Sequence, residues 1–413
     1  LLDAHIRLSP HAHLARSHCV AIAQDGTAFA WGRNDMGQLG LGDSVTRAGP
    51  TPVTALKDKP ISSASTGKHH TLWVGTSGAL YGSGASKQGC VGSGCNKKRE
   101  MEMTPIVVQG LPPVQSAASG ASFNLVIDRT GTLWAFGSSE FGVLGNGSDG
   151  AYNKKDGAIK MAYIVQAVPQ KVIKLMDRTI VAVAAGPQHC AAIDEEGRCF
   201  TWGSGGYGRL GHKDQKDLHV PMELPEMRAI AISCGNAYTA AIGYAVLRSG
   251  AVCHSGQSSL YMWGRVKSAS QNSWMYPQME DDLRGWNLKT FACGSAHTVV
   301  SADSSVIAWG PNCQCGELGY GEGEKKSSAR PKKCDDLEKL KVAQIACGMA
   351  HTIILAEEDE VTKKLPEWVP VQEAVAGSSS ASTKSSKAGA KGKGKLDPPK
   401  KTIAKAGKAR KKQ

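Results

Sequence analysis

The sequence predicts an all-β protein, a seven-bladed β-propeller followed by a disordered basic C-terminal tail. Three observations favour this architecture. Glycine is abundant, at 48 of 413 residues, without a G-X-Y period, which is typical of a globular protein rich in tight turns. Two sequence landmarks recur along most of the chain, and Lys and Arg concentrate at its C-terminal end. We expect the propeller in residues 1–355, a linker in 356–376 and a Lys-rich tail in 377–413.

The first landmark is an aromatic residue followed by glycine at the end of an apolar, strand-like run. It recurs at intervals of 46 to 66 residues. Its occurrences are Trp31-Gly32, Tyr81-Gly82, Phe136-Gly137, Trp202-Gly203, Trp263-Gly264 and Trp309-Gly310. A repeat of this length indicates one small structural unit per period.

The second landmark lies upstream of the first and is a small residue followed, three positions later, by an aromatic residue or His. It occurs seven times, as ARSHC, GKHHT, GASFN, GPQHC, GNAYT, GSAHT and GMAHT. Turn signals such as Asp25-Gly26 separate the two landmarks and indicate a tight hairpin. Gly-rich turns such as GQLGLG at Gly37 follow most aromatic-Gly pairs. Such small sheets must stack to bury their faces, and radial stacking gives a propeller.

The recurring His and Trp residues are interpreted as structural. An active site is a single asymmetric constellation, whereas these residues repeat, and Phe123 and Tyr238 fill the histidine position in two of the units. A position that accepts Phe selects for a flat ring. The residues assigned this structural role are His18, Trp31, His70, His189, Trp202, Trp263, His297, Trp309 and His351.

The order of GxxHT, Trp-Gly and GxLGxG resembles the regulator of chromosome condensation repeat family over nearly all of residues 15 to 355. Within that family, four segments resemble the telophase-disc chromosomal passenger branch. They are WGSGGYGRLGHKDQKD from Trp202, MYPQMEDDLRGW ending at Trp286, WGPNCQCGELGYG from Trp309 and KKLPEW ending at Trp368. The resemblance implies a ring closed by pairing strands from the two chain ends. We therefore expect the strand near His351 to pair with N-terminal chain, and a missing Trp-Gly strand upstream of Leu1.

The fifth unit departs from the family pattern. It has no GxLG turn after Trp263-Gly264, and Tyr238 to Trp263 spans 25 residues where His189 to Trp202 spans 13. The additional sequence lies around Gly243 to Ser259 and is either a surface loop or an error in the gene model.

The remaining motifs indicate no cofactor, and no metal or catalytic residue is assigned. Cys90 with Cys95, and Cys313 with Cys315, lack the spacing of a zinc site. Recurring cysteines in apolar strands favour a reducing compartment. The run from Gly203 to Gly208 matches a dinucleotide fingerprint, but no helix pattern follows it. Apolar runs are too short to span a bilayer, so no membrane association is expected.

The basic charge belongs to the tail. Residues 384–413 carry 12 Lys and Arg against one acid, Asp397, whereas the rest of the chain has 37 bases and 35 acids. The tail has too few large apolar side chains to fold. It could be a solvated tail or nuclear import signal, or it could bind DNA, chromatin or RNA through its phosphates. The candidate phosphate-binding residues are Lys391, Lys393, Lys395, Lys400, Lys401, Lys405, Lys408, Arg410, Lys411 and Lys412.

The family resemblance, and not composition, implies the partner. Relatives of this type engage Ras-like small GTPases, some as guanine-nucleotide exchange factors, and associate with chromosomes or the mitotic spindle. We therefore expect a non-catalytic GTPase regulator in the nucleus and in part in the cytoplasm, with microtubules as a further partner. The candidate GTPase-contacting connections are Ser148 to Thr179, Gly243 to Ser259 and Pro311 to Leu340. The alternatives are a scaffold that masks a switch region without exchange and, more remotely, a propeller enzyme.

Overall fold

The computed structural model describes residues 6–7, 18–94, 100–156, 158–246, 258–266 and 273–365. Within these ranges the protein consists of β-strands joined by turns and short 3-10 helices, with no α-helix. The strands form seven antiparallel units in chain order. The predicted all-β, seven-bladed propeller is confirmed, while the predicted linker and tail boundaries stay predictions.

The first three blades each have four strands, ordered in sequence from the inner to the outer edge. In blade 1 the strands are Ile6–Arg7, His18–Ala23, Ala28–Gly32 and Arg47–Pro52. In blade 2 they are Ile61–Thr66, His70–Gly75, Leu80–Ala85 and Met101–Val107. In blade 3 they are Val114–Ser119, Phe123–Asp128, Leu133–Ser138 and Val165–Lys171. A separate two-stranded hairpin, Ala151–Asp156 with Ala158–Tyr163, is inserted before the outer strand of blade 3.

Blades 4 and 5 share one long strand, Leu218–Cys234. Its first part is the outer strand of blade 4, whose other strands are Ile180–Ala185, His189–Asp194 and Arg198–Gly203. Its second part is the inner strand of blade 5, whose other strands are Tyr238–Ala245, Ser259–Gly264 and Trp274–Met279. Blade 6 contains Leu288–Cys293, Thr298–Ala302, Ser305–Gly310 and Ser328–Lys333, and the described part of blade 7 contains Val342–Cys347 and Thr352–Ala356.

Short 3-10 helices punctuate the connections. They span Thr54–Leu56, Glu140–Gly142, Ile173–Leu175, Gly206–Gly208, Asp281–Leu283, Asp335–Leu337 and Thr362–Lys364. Because successive strands are antiparallel, the first-to-second and third-to-fourth connections of every blade lie on one face of the ring, which we call the loop face. The second-to-third connections and the links between blades lie on the opposite face, which we call the turn face. The inserted hairpin therefore belongs to the loop face.

A proline lies at the same place in each of the six described outer strands, where the pairing register shifts at a bulge. These residues are Pro50, Pro105, Pro169, Pro221, Pro277 and Pro331. Proline has no backbone N–H, and a bulge interrupts the ladder, so both features prevent the exposed edge from pairing with another strand.

The core is distributed between neighbouring blades. Trp202 packs with residues of blade 3, Trp263 with residues of blade 4, and Trp309 with residues of blade 5. The corresponding Trp31 of blade 1 packs against a cluster that contains Ala346 of blade 7, against which Ile353 and Leu355 also pack. The ring therefore closes through side-chain packing between its first and last blades.

The predicted strand pairing between the two chain ends stays a prediction. Thr352–Ala356 pairs with Val342–Cys347, and no third strand of blade 7 lies within the described ranges. The described N-terminal strand, Ile6–Arg7, is the inner strand of blade 1. In the extended fifth unit, residues 243–246 and 258–259 are described and the rest of the predicted insertion lies outside those ranges.

Candidate functional site

The histidine-position residues other than Phe123 each join their blade to the next one, in a relay around the ring. Each of these side chains contacts the residue that directly follows the histidine-position residue of the next blade. The contacts are His18 Nε2 to Thr71 Oγ1 (2.9 Å), His70 Nε2 to Asn124 Oδ1 (2.8 Å), His189 Nε2 to Thr239 Oγ1 (2.9 Å), Tyr238 OH to Thr298 Oγ1 (3.1 Å), His297 Nε2 to Thr352 Oγ1 (3.1 Å) and His351 Nε2 to Cys19 Sγ (3.3 Å). The last contact joins blade 7 to blade 1.

The acceptors of the relay fix the protonation state of its imidazoles. Thr71 Oγ1 donates its only hydrogen to Gln38 O at 2.7 Å, in the Gly-rich loop of the preceding blade. It can therefore only accept from His18, so the Nε2 of His18 carries the proton. Asn124 repeats this arrangement because its Nδ2 donates to Cys90 O at 2.7 Å and leaves Oδ1 to accept. Thr71 and Asn124 thus each also bind a Gly-rich loop.

The pKa values of the relay histidines agree with neutral rings. Burial lowers the pKa of His18 to about 3 and that of His70 to about 4, with neighbouring histidines adding to the effect. Burial also lowers the pKa of His297 to about 4 and that of His189 well below its usual value. The Nδ1 atoms of His18, His189 and His297 are buried without a partner, which is tolerable for an unprotonated nitrogen but costly for a charged ring.

Glycine explains the spacing of the second landmark. The ring three positions after each glycine folds back over it, and a Cβ at Gly67 would lie 2.1 Å from His70 Cε1. The same clash would occur at Gly120 against Phe123, where the distance would be 2.1 Å. At Gly67 and Gly120 only glycine permits this close approach.

Two blades depart from the histidine relay, and each departure is compensated. Phe123 cannot donate, and the residue it faces is Cys190, whose thiol donates to Val143 O at 3.3 Å. Tyr238 donates its hydroxyl hydrogen to His297 O at 2.5 Å and thus accepts from Thr298. Thr298 belongs to the blade that follows the missing GxLG turn, and the phenol replaces the loop carbonyl that other relay threonines use.

The described cysteines other than Cys19 and Cys315 are buried. Burial raises the pKa of Cys19 to about 12 and that of Cys90 to about 12, so both are protonated thiols at neutral pH. Within the described ranges, no group of three or more His, Cys, Asp or Glu side chains could hold a metal ion. The five relay histidines lie in five different blades and converge on no common pocket. The same part of the chain has no helix of membrane-spanning length and apolarity.

The inserted hairpin of blade 3 is the most distinctive structure on the loop face, and it is held firmly at its base. Ser139, which is 1% exposed, has one hydroxyl hydrogen, and its Oγ lies 2.8 Å from Ile164 O and 3.1 Å from Asp149 O, so the two carbonyls share this hydrogen. Ile164 N donates to Gly150 O at 2.9 Å. A Cβ at Gly150 would lie 2.0 Å from Ser139 Oγ, so this anchor requires glycine.

The hairpin exposes apolar side chains. Met161 is 67% exposed, Ile164 is 55% exposed and Tyr152 is 48% exposed. Asn153 pairs directly with Met161, and Tyr152 with Ala162, so the two faces of the hairpin present Met161 and Tyr152 separately. Val165 and Val168 of the adjacent outer strand are also exposed. Several exposed apolar side chains on one hairpin and its neighbouring strand are typical of protein-binding sites.

The hairpin lies within Ser148 to Thr179, one of the candidate connections that the sequence predicts. The sequence contains a signal for this hairpin, since the interval from Phe136 to Trp202 is the longest of the repeat and contains the turn sequence Asp156-Gly157. Pro311 to Leu340 contains the Gly-rich loop and outer strand of blade 6. All ten predicted phosphate-binding residues of the tail lie outside the described residues.

Comparison with known proteins agrees with the repeat analysis. The family model for the "Regulator of chromosome condensation (RCC1) repeat" matches residues 25–74, 77–127, 130–193 and 196–242. The chain belongs to the RCC1 repeat family. It is 34% identical to the RCC2 homolog of Danio rerio over 377 residues, covering 86% of this chain and 73% of that protein. It is also 34% identical to Protein RCC2 of Homo sapiens, covering 86% of this chain and 69% of that protein.

The predicted family and its telophase-disc passenger branch, to which RCC2 belongs, are both confirmed by these relatives. Solved structures agree on the fold. Human WBSCR16 matches with a TM-score of 0.71 and 20% identity, covering 86% of this chain and 88% of that one. Prp20p from Saccharomyces cerevisiae, described with its binding to Gsp1p and histones, matches with a TM-score of 0.63 and 18% identity, covering 85% and 83%.

Proposed function

We propose that this chain is a non-catalytic regulator that binds a Ras-like small GTPase on the loop face of its propeller, as a guanine-nucleotide exchange factor or a closely related regulator. The observation that carries the proposal is the anchored hairpin 151–163 with its exposed Met161 and Tyr152. Support comes from the RCC2 relatives and from Prp20p, which is described as binding Gsp1p and histones.

The hairpin suits an exchange factor for a physical reason. Such a factor must bind the nucleotide-free GTPase more tightly than the nucleotide-bound form, because only a difference in affinity shifts the equilibrium. A contact element that is already ordered loses little conformational entropy on binding. The hydroxyl hydrogen of Ser139, shared between Ile164 O and Asp149 O, and the bond from Ile164 N to Gly150 O provide this order at the base of the hairpin.

A scaffold is the second candidate. An apolar hairpin that covers a switch region equally well in both nucleotide states would bind the GTPase without accelerating exchange. The same exposed side chains favour both candidates, so the rate of nucleotide release separates them.

The test measures the release of labelled GDP from Ran, Rac, Ral and Arf GTPases, and their binding to the immobilised full chain. We expect one of them to bind and to release GDP faster in the presence of the propeller. M161E should weaken this effect about tenfold or more by placing a charge in an apolar contact. V45E changes another exposed apolar residue of the loop face, which is 60% exposed, and should have no effect. Binding without acceleration would favour the scaffold, and failure of all four GTPases to bind would contradict both candidates.

The basic tail gives a second proposed contact, with DNA, chromatin or RNA. Its 12 Lys and Arg residues against one acid would release counterions from a phosphate backbone without reading sequence. This contact, together with membership of a family named for chromosome condensation, supports a location in the nucleus, at chromosomes and on the mitotic spindle, and in part in the cytoplasm.

Deletion of residues 377–413 tests the tail. The truncated chain should lose salt-sensitive retention on immobilised DNA, since retention depends on the tail cations. Its urea unfolding midpoint should not change. Equal retention of the full and truncated chains at low salt would contradict the proposal.

A further inference from the structure

The cleft between blades 5 and 6 differs from the other inter-blade clefts. In five other clefts, a loop carbonyl of one blade accepts a hydrogen bond from the relay residue of the next. These pairs are Gln38 with Thr71, Cys90 with Asn124, Val143 with Cys190, Arg209 with Thr239, and Glu317 with Thr352. Blade 5 has no GxLG turn, and the described residues that follow Gly264 at this position are Arg265 and Val266.

A cavity of about 100 Å³ lies in this cleft. Its lining includes Tyr238, Met262, Arg265, Trp309 and Asn312. The volume corresponds to about three water molecules at liquid density, which suits one short side chain. In blade 4, Trp202 Nε1 donates to the loop carbonyl of Val143 at 2.9 Å, whereas the corresponding indole of Trp309 lines the cavity. The cleft therefore combines a hydrogen-bond donor and a guanidinium with apolar walls.

A second cavity, of about 230 Å³, lies where the first-to-second strand connections of blades 2 to 7 meet on the loop face. Its lining includes Lys68, Gln188 and Met349. Asn236 and Ser295 line both cavities, so the two cavities are adjacent. We call this pair of adjacent cavities, one near the ring axis and one in the cleft between blades 5 and 6, the axial groove.

The charge of the axial groove has one sign. Its lining contains Lys68 and Arg265 and no Asp or Glu among the described residues. Arg265 stacks over the exposed ring of Tyr207, at 5.2 Å from its centroid, and neither cation forms an ion pair within the described part of the chain. Unpaired cations beside amide and indole donors select for carboxylates.

We propose that the axial groove binds an acidic, extended segment of a partner protein. One carboxylate pairs with Arg265 and a second with Lys68, and a small aliphatic side chain enters the cleft beside Met262 and Trp309. Charge complementarity identifies this occupant. The proposal does not depend on the GTPase or on the hairpin, which has different residues and a different contact chemistry.

The probe is a twelve-residue peptide of alternating Asp and Leu with a central benzoylphenylalanine. The control is the same peptide with Asn in place of Asp. Binding to the full chain is followed by fluorescence polarisation, and photo-crosslinks are mapped by mass spectrometry. The key variant is K68E/R265E. The matched control is K57E/K174E, which makes the same charge change on the turn face, where both lysines are exposed.

We expect the acidic peptide to bind and to crosslink near Asn236, Ser295 or Asn312. K68E/R265E should weaken binding about tenfold or more, because reversing both cations makes the contact repulsive, and K68Q/R265Q should have an intermediate effect. K57E/K174E should bind as the wild type does. Crosslinks confined to residues 384–413, equal affinity of the two reversal variants, equal binding of the Asn peptide, or no binding at all would each overturn the proposal.

Discussion

Replacing His18 with Phe should make the protein less sensitive to acid. His18 is buried, and its pKa is lowered from 6.5 to about 3 by burial and by neighbouring histidines. A pKa lowered by folding means that protonation favours the unfolded chain. The stabilising contribution is therefore complete above pH 6.5 and is lost as the pH falls from 6.5 toward 3.

The size of the effect follows from the unfolded state. Between pH 7 and pH 5 an unfolded imidazole of pKa 6.5 takes up about 0.7 of a proton, while folded His18 takes up almost none, so this residue alone costs about 2 kcal/mol of stability over that range. At pH 7, H18F should cost about 1 kcal/mol, because Thr71 loses one hydrogen bond. At pH 5 the variant should be about 1 kcal/mol more stable than the wild type.

The assay is urea unfolding followed by tryptophan fluorescence at both pH values. The chain supplies two controls. H18F/T71C reproduces the Phe123 and Cys190 pair that occurs between blades 3 and 4, and it should have the same reduced acid sensitivity. F123H should add acid sensitivity instead. If the wild type and H18F lost the same free energy of unfolding between pH 7 and pH 5, the assignment of His18 as a neutral, buried relay donor would be refuted.

Three further predictions concern stability and association. G186A should lower the free energy of unfolding by about 2 kcal/mol or more, because the new Cβ would lie 2.4 Å from His189 Cε1. The control G206A places its Cβ 3.5 Å from the nearest atom and should change the free energy of unfolding by less than about 0.5 kcal/mol in the same urea assay. D128A should lower the free energy of unfolding by about 2 kcal/mol or more, because Asp128 accepts hydrogen bonds from Thr130, Thr132 and Trp134. The control D25A removes an exposed carboxylate that is bonded to Thr27 alone and should lower the unfolding midpoint much less. Replacing Pro105, Pro169 and Pro221 together with Thr should produce concentration-dependent association in light scattering, and unchanged scattering would argue against a protective role of these prolines at the outer edges.

The repeat could be predicted from the sequence because each blade uses local rules. Gly67 and His70 are three positions apart, and their contact depends only on that spacing. The same holds for the aromatic-Gly pairs of the third strands, except in blade 2. There Gly84 and not Gly82 pairs with the histidine-position residue, so the prediction that Tyr81-Gly82 marks this place was wrong. The prolines of the outer strands were equally visible, at a constant place in each blade, but their meaning depends on which strand forms the exposed edge.

The relay could not be predicted in this way. His18 and Thr71 are 53 positions apart, and their contact depends on the rotation between blades. The axial groove required the structure for the same reason, since Lys68 and Arg265 belong to blades 2 and 5. The absence of a GxLG turn after Trp263 was visible in the sequence. Tyr238 at the histidine position of the same blade was visible as well. Only the structure connects the two features, because the Tyr238 phenol replaces the missing loop carbonyl as the acceptor for Thr298.

The most direct test of a GTPase bound to the loop face is hydrogen-deuterium exchange of the full chain with and without the GTPase that binds it. Protection should appear at the hairpin 151–163 and at Ile164. Protection confined to the turn face, at Asp25-Gly26 and residues 195–197, would contradict the account.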